Sequence, residues 1–348
     1  MLSLANGMLN TERINHLADQ LATLHKNGME LILVSSGAVA AGKGEYQLSK
    51  KTPEISAKQV WSAIGQVKLM SNYFGAFAKY HIQAAQVLAT KESFKDRRHY
   101  LNMKNCISAM LENKVLPIVN ENDTVAITEL MFTDNDELSG LIASLMDCQA
   151  LFILTNVDGV LTGHPDDEGV SLIHEIEADN MDIGKYISPI KSGFGRGGML
   201  TKCSIAQKIA MHGIDVYIAN GACENILIDI LSGKKIPCTK FKALTGKVNS
   251  IKKWLAHSST FAKGEVIVNS GAASALMSKS ATSLLTIGIE KLNGYFEKGD
   301  LVKIFDTDGK YIGLGKAQYS STELAQSLGL KKKKPFIHYD YLVLNDDN

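Results

Sequence analysis

The sequence lacks the features of membrane, secreted and metal-binding proteins. No stretch approaches the ~18 uncharged apolar residues that a membrane span needs, and the start of the chain has neither the basic region nor the length of a signal peptide. The 5 cysteines lie far apart without a CxxC pair, and the 9 histidines show no metal-ligand spacing, which excludes a zinc site. We expect a cytoplasmic protein without a membrane partner, whose cysteines are small buried thiols in a reducing compartment.

Excess charge and the motifs of covalent catalysis are also missing. Lys and Arg total 37 against 36 Asp and Glu, so the net charge gives no argument for nucleic-acid binding. No G-x-S-x-G motif is present, and no cysteine is matched with a nearby histidine. The apolar fraction of 45% is typical of a globular protein with a buried core, and 348 residues are enough for two domains or three.

Short apolar runs alternate with amphipathic stretches through the first two thirds of the chain. Residues 11–27 have apolar side chains at helical spacing, with Asn10 or Thr11 as N-cap and Gly28 as the stop, and Leu31–Val34 then reads as a buried strand. The same alternation returns in the segments 81–90, 114–124, 138–149, 150–159, 200–213 and 214–221. This order predicts an α/β fold with an open, mostly parallel sheet sandwiched by helices.

The pattern changes after about Gly246, where short strands and turns replace the alternation. Asp308-Gly309 lies between two apolar runs and predicts a hairpin turn. We therefore predict an α/β domain over residues 1–245, a linker near 244–260 and a small β-rich domain over 260–345.

Polar residues follow the apolar runs at the positions where open α/β sheets bind ligands, beyond the carboxyl ends of the strands. Ser35–Ala38 is suited to bind an anion at the start of a helix, or it forms a tight strand–helix turn in which a serine is the N-cap. Asn120–Thr124 suits the ammonium of an amino-acid ligand, or is a turn closed by Asx hydrogen bonds. The acids of Asp134–Ser139 orient basic groups near a transferring phosphate, or only complement a helix dipole. Thr155–Gly159 fits a nucleotide-side loop, or is merely a turn.

Residues 193–202, with the sequence GFGRGGMLTK, are the most specific of these segments. Glycines let a backbone wrap around a polyphosphate, the following helix start supplies N–H donors, and Lys202 supplies a cation. The segment matches G-x-G-x-x-G, but it follows a polar loop where the dinucleotide fingerprint follows the first strand, and it lacks the end of a P-loop. The residues favour phosphoryl transfer, which needs mainly positioning and electrostatics.

Five motifs, taken together and in order, resemble the amino-acid kinase family: VSSGAVAAG, LPIVNENDTV, TDNDELS, LTNVDGV and GRGGMLTK. The resemblance runs from about residue 7 to the end and includes a C-terminal domain similar to the PUA module. It implies ATP-dependent phosphorylation of the side-chain carboxylate of L-glutamate to glutamyl 5-phosphate, the first step of proline biosynthesis. The pairing of NEND with DND favours glutamate over the N-acetylglutamate and aspartate that other members phosphorylate. ATP and Mg²⁺, which would bridge the β- and γ-phosphates, are the implied cofactors.

The resemblance also assigns roles to individual positions. It implies that glutamate binds between Ser36, Asp123 and Asn135. It implies that Asp136 and Lys202 are catalytic, with Asp136 organising the transfer centre and Lys202 on the phosphates, and it assigns no side chain to a metal. The residues implied to bind ATP are Thr155, Asn156, Arg196, Gly197, Gly198, Met199, Leu200, Thr201 and Lys202. The family has an aspartate at the position of Asn156, so this contact carries no charge here.

The implied partners are L-glutamate, proline as a feedback inhibitor, further copies of the chain in a homodimer or homotetramer, and a glutamyl phosphate reductase that consumes the labile product. Many PUA modules bind RNA, and Lys331–Lys334 lies near aromatic residues of this domain. None of the four arginines of the chain falls in the domain, however, and arginine is the usual phosphate-clamping residue. We therefore interpret the lysines as a solvated turn and do not expect RNA binding.

The chain departs from the family pattern at its start. Members of the family begin with a strand ending in Lys-x-Gly-Thr/Ser, which holds the transferring phosphoryl group, and Met1–Leu4 does not supply it. A start codon assigned too late, a truncated chain or a degenerate enzyme would explain this, and the intact motifs favour the first. We expect little kinase activity from the chain as written and activity from a version extended by this strand. The alternative is a non-catalytic glutamate- or proline-binding protein.

Overall fold

The chain folds into two compact units, Met1–Gly246 and Lys247–Asn348. The structure, a computed structural model, describes residues 2, 8–95, 97–125, 132, 134–163, 169–178, 198–244, 262–277, 282–330 and 334–344. The domain boundaries given above stay predictions, and the predicted linker lies almost entirely outside the described residues. None of the helices in the described ranges is long and apolar enough to cross a bilayer.

The first unit alternates helices and strands, as the sequence predicts. Its helices are α1 (Thr11–Lys26), α2 (Ala38–Glu45), α3 (Glu54–Ala78), α4 (Lys91–Lys95), α5 (Arg97–Glu112), α6 (Asn135–Met146), α7 (Met199–Met211) and α8 (Ile226–Leu231). Its strands are β1 (Leu33–Val34), β2 (Ala84–Ala89), β3 (Leu116–Glu121), β4 (Ala150–Thr155), β5 (Val160–Leu161), β6 (Leu172–Ile173), β7 (Glu175–Glu177), β8 (Asp215–Asn220) and β9 (Cys238–Lys242).

Helix α1 shows how local sequence sets the ends of an element. The Asn10 side chain accepts a hydrogen bond from the Arg13 N–H, which satisfies one of the donors at the helix start. Gly28, at φ 86°, lies just past the helix, in a backbone conformation that favours glycine. Both ends of this helix were predictable from the sequence, because capping needs only neighbouring residues.

The strands of the first unit are hydrogen-bonded in two larger sheets. The first has the order β1-β3-β2 and is parallel throughout. The predicted strand Leu31–Val34 is shorter in the structure, because only Leu33 and Val34 pair with β3. β3 is buried along its whole length and continues to Glu121, so Asn120 and Glu121 belong to the strand and not to the turn after it.

The second sheet has the order β4-β8-β9-β7, with two parallel pairings and one antiparallel pairing, between β8 and β9. Apolar side chains cover both of its faces. Val216 and Ile218 belong to one core cluster with residues of α7, whereas Ala219 belongs to a second cluster with residues of α1 and α3. Helix α6 contacts β1 and β3 of the first sheet and β4 of the second, so it packs against both sheets.

Two glycines allow helices α2 and α3 to touch. A Cβ on Gly65 would lie 1.8 Å from the Ala38 carbonyl oxygen, and one on Gly42 would lie 1.8 Å from the Trp61 carbonyl oxygen. Any side chain at either position would therefore separate the helices. This contact places the buried face of α3 against the segment that follows β1.

The second unit is built around one sheet with the order β11-β10-β12-β13-β14. Its elements are β10 (Gly264–Val268), α9 (Ser270–Leu276), β11 (Ile289–Gly294), β12 (Leu301–Phe305), β13 (Tyr311–Lys316), α10 (Ser321–Ala325) and β14 (Leu342–Leu344). β12 and β13 form the predicted antiparallel hairpin, and Gly309 in its turn has φ 82°. Phe296 and Phe336 are fully buried at the centre of the core of this unit.

The cysteines do not share one environment, contrary to the prediction. Cys203 is buried, Cys148 and Cys238 are half-buried, and Cys106 and Cys223 are exposed. Cys106 lies on the outer side of the amphipathic α5 and Cys223 lies in the turn after β8, where no core is available. Spacing along the sequence could not distinguish these positions.

Candidate active site

Helix α6 begins with an acidic cap. Asp134 Oδ1 accepts hydrogen bonds from the backbone N–H groups of Asp136 and Glu137, both at 3.1 Å. Burial, with the nearby charge of Asp136, raises the pKa of Asp134 above its ordinary value of 3.8. Its other oxygen, Oδ2, is buried and has no hydrogen-bond partner among the residues that the structure describes. Asp134 is therefore both a helix cap and a carboxylate held in a poorly solvated place.

Lys202 and Asp136 form an ion pair between the first turns of α7 and α6. The side chains are 17% and 19% exposed, so water screens the pair only in part. Gly198 is the N-cap of α7, and among the described residues no side chain caps the backbone N–H groups of this helix start. Two helix starts and a lysine ammonium together suit a multiply charged anion.

Cys203, next to Lys202, does not serve as a nucleophile. It is 1% exposed, and burial raises the pKa of its thiol to about 12, although the charge of Lys202 opposes this. A thiol with this pKa stays protonated at neutral pH and is inert. Cys203 therefore offers no thiolate to the chemistry beside Lys202.

The side chain of Asn135 has a fixed orientation. Its Nδ2 donates to the Ser35 carbonyl oxygen at 2.6 Å and to Asn120 Oδ1 at 2.9 Å, so both amide protons point inward. Within the described residues no hydrogen bond engages its Oδ1. Asn135 therefore presents an oxygen, which accepts hydrogen bonds from an ammonium or an N–H group.

Asn120 connects Asn135 with helix α3. Its Nδ2 donates to Gln66 Oε1 at 2.8 Å, and its Oδ1 also accepts the Glu121 backbone N–H at 2.8 Å. Three residues after Asn120, Asp123 Oδ2 accepts a hydrogen bond at 3.0 Å from Ser62 Oγ, which also belongs to α3. The sequence did not point to Ser62 or Gln66, since α3 lies more than fifty residues earlier in the chain. Their spacing of four residues on one buried helix face is the signal that could have found them.

The segment after β1 contacts Asn135 through a backbone carbonyl group and not through a side chain. Gly37 is the N-cap of α2 at φ 109°, so neither serine is the cap, contrary to the simpler interpretation of the sequence. Ser35 is buried and its hydroxyl lies 2.9 Å from the Tyr73 hydroxyl, whose pKa burial raises to about 12. Ser36 is exposed, next to the carbonyl oxygen of Ser35 that binds Asn135.

Thr155 and Asn156 end strand β4 on the second sheet. Thr155 Oγ1 donates to Asn156 Oδ1 at 3.3 Å, and the Thr155 carbonyl oxygen accepts the Gly221 N–H at 2.9 Å. Arg13 of α1 donates to the Gly221 carbonyl oxygen, which ties that turn to the first helix. In the part of the chain that the structure describes, no hydrogen bond connects either residue with Lys202.

The structure places most of the remaining predicted residues in the first turn of α7. Met199, Leu200 and Thr201 precede Lys202 there, with Gly198 as the cap. Arg196 and Gly197 lie outside the described residues. The structure adds two contacts that the sequence did not predict. Asp136 contacts Lys202 directly, and Asn135 is connected with the 120–123 segment through its hydrogen bond to Asn120.

The chain matches the model of the amino acid kinase family over residues 6–220 and the PUA domain over residues 264–336. It is 51% identical to the glutamate 5-kinase of Bacteroides thetaiotaomicron over 345 residues, which cover 99% of this chain and 96% of that protein. It is 49% identical to the glutamate 5-kinase of Chlorobaculum tepidum, over 97% of this chain and 93% of that protein. These matches show that the chain belongs to the amino acid kinase family and is a phosphotransferase with a PUA domain.

Proposed function

We propose that the protein transfers the γ-phosphoryl group of ATP to the side-chain carboxylate of L-glutamate, giving glutamyl 5-phosphate for proline biosynthesis. The ion pair of Lys202 with Asp136 carries this proposal, because it places a cation beside the residue that would bind the amino acid, Asn135. The relatives named above, both glutamate 5-kinases that match nearly the whole chain, support the choice of substrate.

On the acceptor side, the substrate ammonium would bind to oxygens. Asn135 presents Oδ1, and Asp123 supplies a carboxylate that Ser62 holds through one hydrogen bond. Ser36 follows the carbonyl group that fixes Asn135, so its backbone and hydroxyl would close this side of the pocket. Placing the ammonium here directs the side-chain carboxylate of glutamate toward Asp136 and Lys202.

On the donor side, Lys202 and the open N-terminus of α7 would hold the phosphates of ATP. A lysine ammonium that stabilises the charge developing on a transferring phosphoryl group lowers the barrier without a covalent intermediate. Asp136 would hold Lys202 in place until the phosphates arrive. We assign Thr155 and Asn156, with Arg196, Gly197 and the first turn of α7, to the rest of the nucleotide.

The acidic start of α6 fits a magnesium ion carried by ATP. No cluster of three or more His, Cys, Asp or Glu side chains occurs in the described ranges, so these residues do not form a cage for the metal by themselves. Asp134, whose buried Oδ2 lacks a partner, and Asp136 are the carboxylates that would face the ion, directly or through water. The metal would neutralise charge on the phosphates, and Asp134 would help to orient it.

We extend the proposal to the partners that the sequence resemblance implies. Proline carries the same ammonium and carboxylate as glutamate and would compete at Asn135 and Asp123. The acyl phosphate product is labile, which favours consumption by a glutamyl phosphate reductase. A homodimer or homotetramer is the expected assembly.

Trapping of the product tests this function. The chain as given and a version extended by the N-terminal Lys-x-Gly-Thr/Ser strand are each incubated with Mg-ATP, hydroxylamine and one acceptor, and the hydroxamate formed from an acyl phosphate is measured. We expect the extended version, which serves as wild type for the variants below, to turn over L-glutamate and to show little turnover with L-aspartate or with N-acetyl-L-glutamate, which has no ammonium. The chain as given should show little turnover with any acceptor. Calorimetric binding of glutamate and proline without any hydroxamate would instead support the non-catalytic alternative.

A further inference from the structure

Two buried side-chain polar atoms in the described part of the chain lack a hydrogen-bond partner, and both belong to residues connected with Asn135, one through the chain and one through Asn120. They are Gln66 Nε2 and Asp134 Oδ2. Nearly all buried polar atoms in folded proteins are paired, so two exceptions around one residue point to a ligand at that place. Asp134 precedes Asn135 in the chain, and Gln66 is connected with it through Asn120.

The orientation of the Gln66 carboxamide follows from a backbone donor. The Glu121 N–H donates to Asn120 Oδ1, so the amide nitrogen of Asn120 is the end that faces Gln66. Gln66 must meet that nitrogen with its oxygen, since a flipped carboxamide would place two donors against each other. The Nε2 of Gln66 is thereby turned away from Asn120, and the residue is only 8% exposed.

The chain of amides has opposite chemistry at its two ends. Asn135 ends it with an oxygen, Oδ1, which accepts hydrogen bonds. Gln66 ends it with a nitrogen, Nε2, which donates two. An amino acid carries the complementary pair, an ammonium that donates and a carboxylate that accepts.

We propose that Gln66 determines substrate specificity by donating from Nε2 to the backbone carboxylate of the amino-acid substrate. This inference rests on the proposed function. If the side-chain carboxylate faces Lys202, on one side of Asn135, the backbone carboxylate lies on the other side, toward Asn120 and Gln66. The site then selects a zwitterion over a simple dicarboxylic acid.

The substitution Gln66→Met removes the Nε2 donor, together with the Oε1 acceptor for Asn120, at nearly constant side-chain length. Gln59→Met is the matched control, because Gln59 lies two turns earlier on α3 and donates from Nε2 to the Thr124 carbonyl oxygen at 3.1 Å. We expect Q66M to raise the KM for glutamate about tenfold or more, the usual range for a hydrogen bond to a charged group, with kcat and the KM for ATP changed by less than about threefold. Q59M should leave all three within about twofold of the wild type.

A second substrate distinguishes binding from a structural effect. L-Isoglutamine keeps the ammonium and the side-chain carboxylate of glutamate but has an amide in place of the backbone carboxylate. The wild type should prefer glutamate over isoglutamine, and Q66M should lose most of that preference. A structural role for Gln66 would raise both KM values and leave their ratio unchanged.

Two results would overturn the inference, and a third would overturn only the proposed function. An unchanged ratio in Q66M, with an active wild type, rejects the role of Gln66 and leaves the proposed function intact. A wild type that binds glutamate in calorimetry but is inactive rejects the proposed function. The ratio of the Kd values for isoglutamine and glutamate, compared between the wild type and Q66M, then tests the role of Gln66. A wild type that neither phosphorylates nor binds glutamate rejects both.

Discussion

The ammonium of Lys202 contacts the carboxylate of Asp136, which lies 66 residues earlier in the sequence. This contact joins the first turns of two helices, α7 and α6. Each side chain comes from the first turn of its helix, where backbone N–H groups lack intrahelical partners. An anion that binds there meets a lysine and two sets of donors together. In the proposed function, the phosphoryl group would therefore be transferred beside this ion pair.

Lys202→Met should abolish most of the activity and leave the fold intact. Loss of one preorganised donor to a transition-state charge typically costs about 10²–10³ in kcat, and we expect a loss of this size here. Lys208→Met is the matched control, since Lys208 is an exposed lysine on the same helix. Steady-state rates of hydroxamate formation compare the two. Equal rates in both variants would remove Lys202 from the mechanism.

Ser62→Ala should weaken the binding of the amino acid through Asp123. The variant loses the hydrogen bond to Asp123 Oδ2 and leaves the carboxylate less well oriented, so we expect a rise of about 3–10-fold in the KM for glutamate. Asp123→Asn should have a larger effect, because it also removes the charge that meets the ammonium. Ser71→Ala, at an exposed position of α3, serves as control. A normal KM for glutamate in both Ser62→Ala and Asp123→Asn would place the ammonium elsewhere.

Asp134→Asn should change how stability depends on pH. The pKa of Asp134 is raised in the folded state, mainly by burial, so the folded chain binds this proton more tightly than the unfolded chain. Stability from the group is thus present at low pH and lost as the pH rises through the folded-state pKa. Asparagine keeps the capping oxygen and has no proton to lose. The free energy of unfolding of the variant, relative to the wild type, should increase from pH 4 to pH 7 in urea titrations, and a decrease would contradict the assignment.

Gly65→Ala should destabilise the protein, whereas Gly75→Ala on the same helix should not. A Cβ at position 65 would meet backbone at 1.8 Å, so the helices must separate, at a cost of about 1–3 kcal/mol or more. A Cβ at position 75 has no atom within 4 Å, and alanine there should gain about 0.5–1 kcal/mol through lower chain entropy when unfolded. Chemical denaturation measures both. Similar free energies of unfolding for the two variants would argue against the close contact of α2 with α3.

The parts of the fold that depend on neighbouring residues were predictable from the sequence. The cap of α1 at Asn10 and the hairpin at Asp308-Gly309 follow from local chemistry, and the structure confirms both. The predicted length of β1 was wrong, because the strand begins where it pairs with β3, which is distant in the sequence. Backbone pairing likewise placed Asn120 inside a strand.

The candidate site was predictable as a set of segments but not as a set of contacts. Periodicity and polarity located Asp136 and Lys202, but nothing local indicates that their side chains meet. Gln66 lies in a helix whose pattern resembles any amphipathic helix, and its importance comes only from Asn120, 54 residues later. The sequence indicates which residue types are present in each segment, whereas the fold decides which side chains contact one another.

A crystal structure with glutamate and a non-hydrolysable Mg-ATP analogue would show both substrates in the site. We expect Lys202 Nζ to contact the terminal phosphate and Asn135 Oδ1 to accept a hydrogen bond from the glutamate ammonium, with the acceptor carboxylate between them. Nucleotide bound away from the start of α7, or glutamate bound away from Asn135, would contradict it.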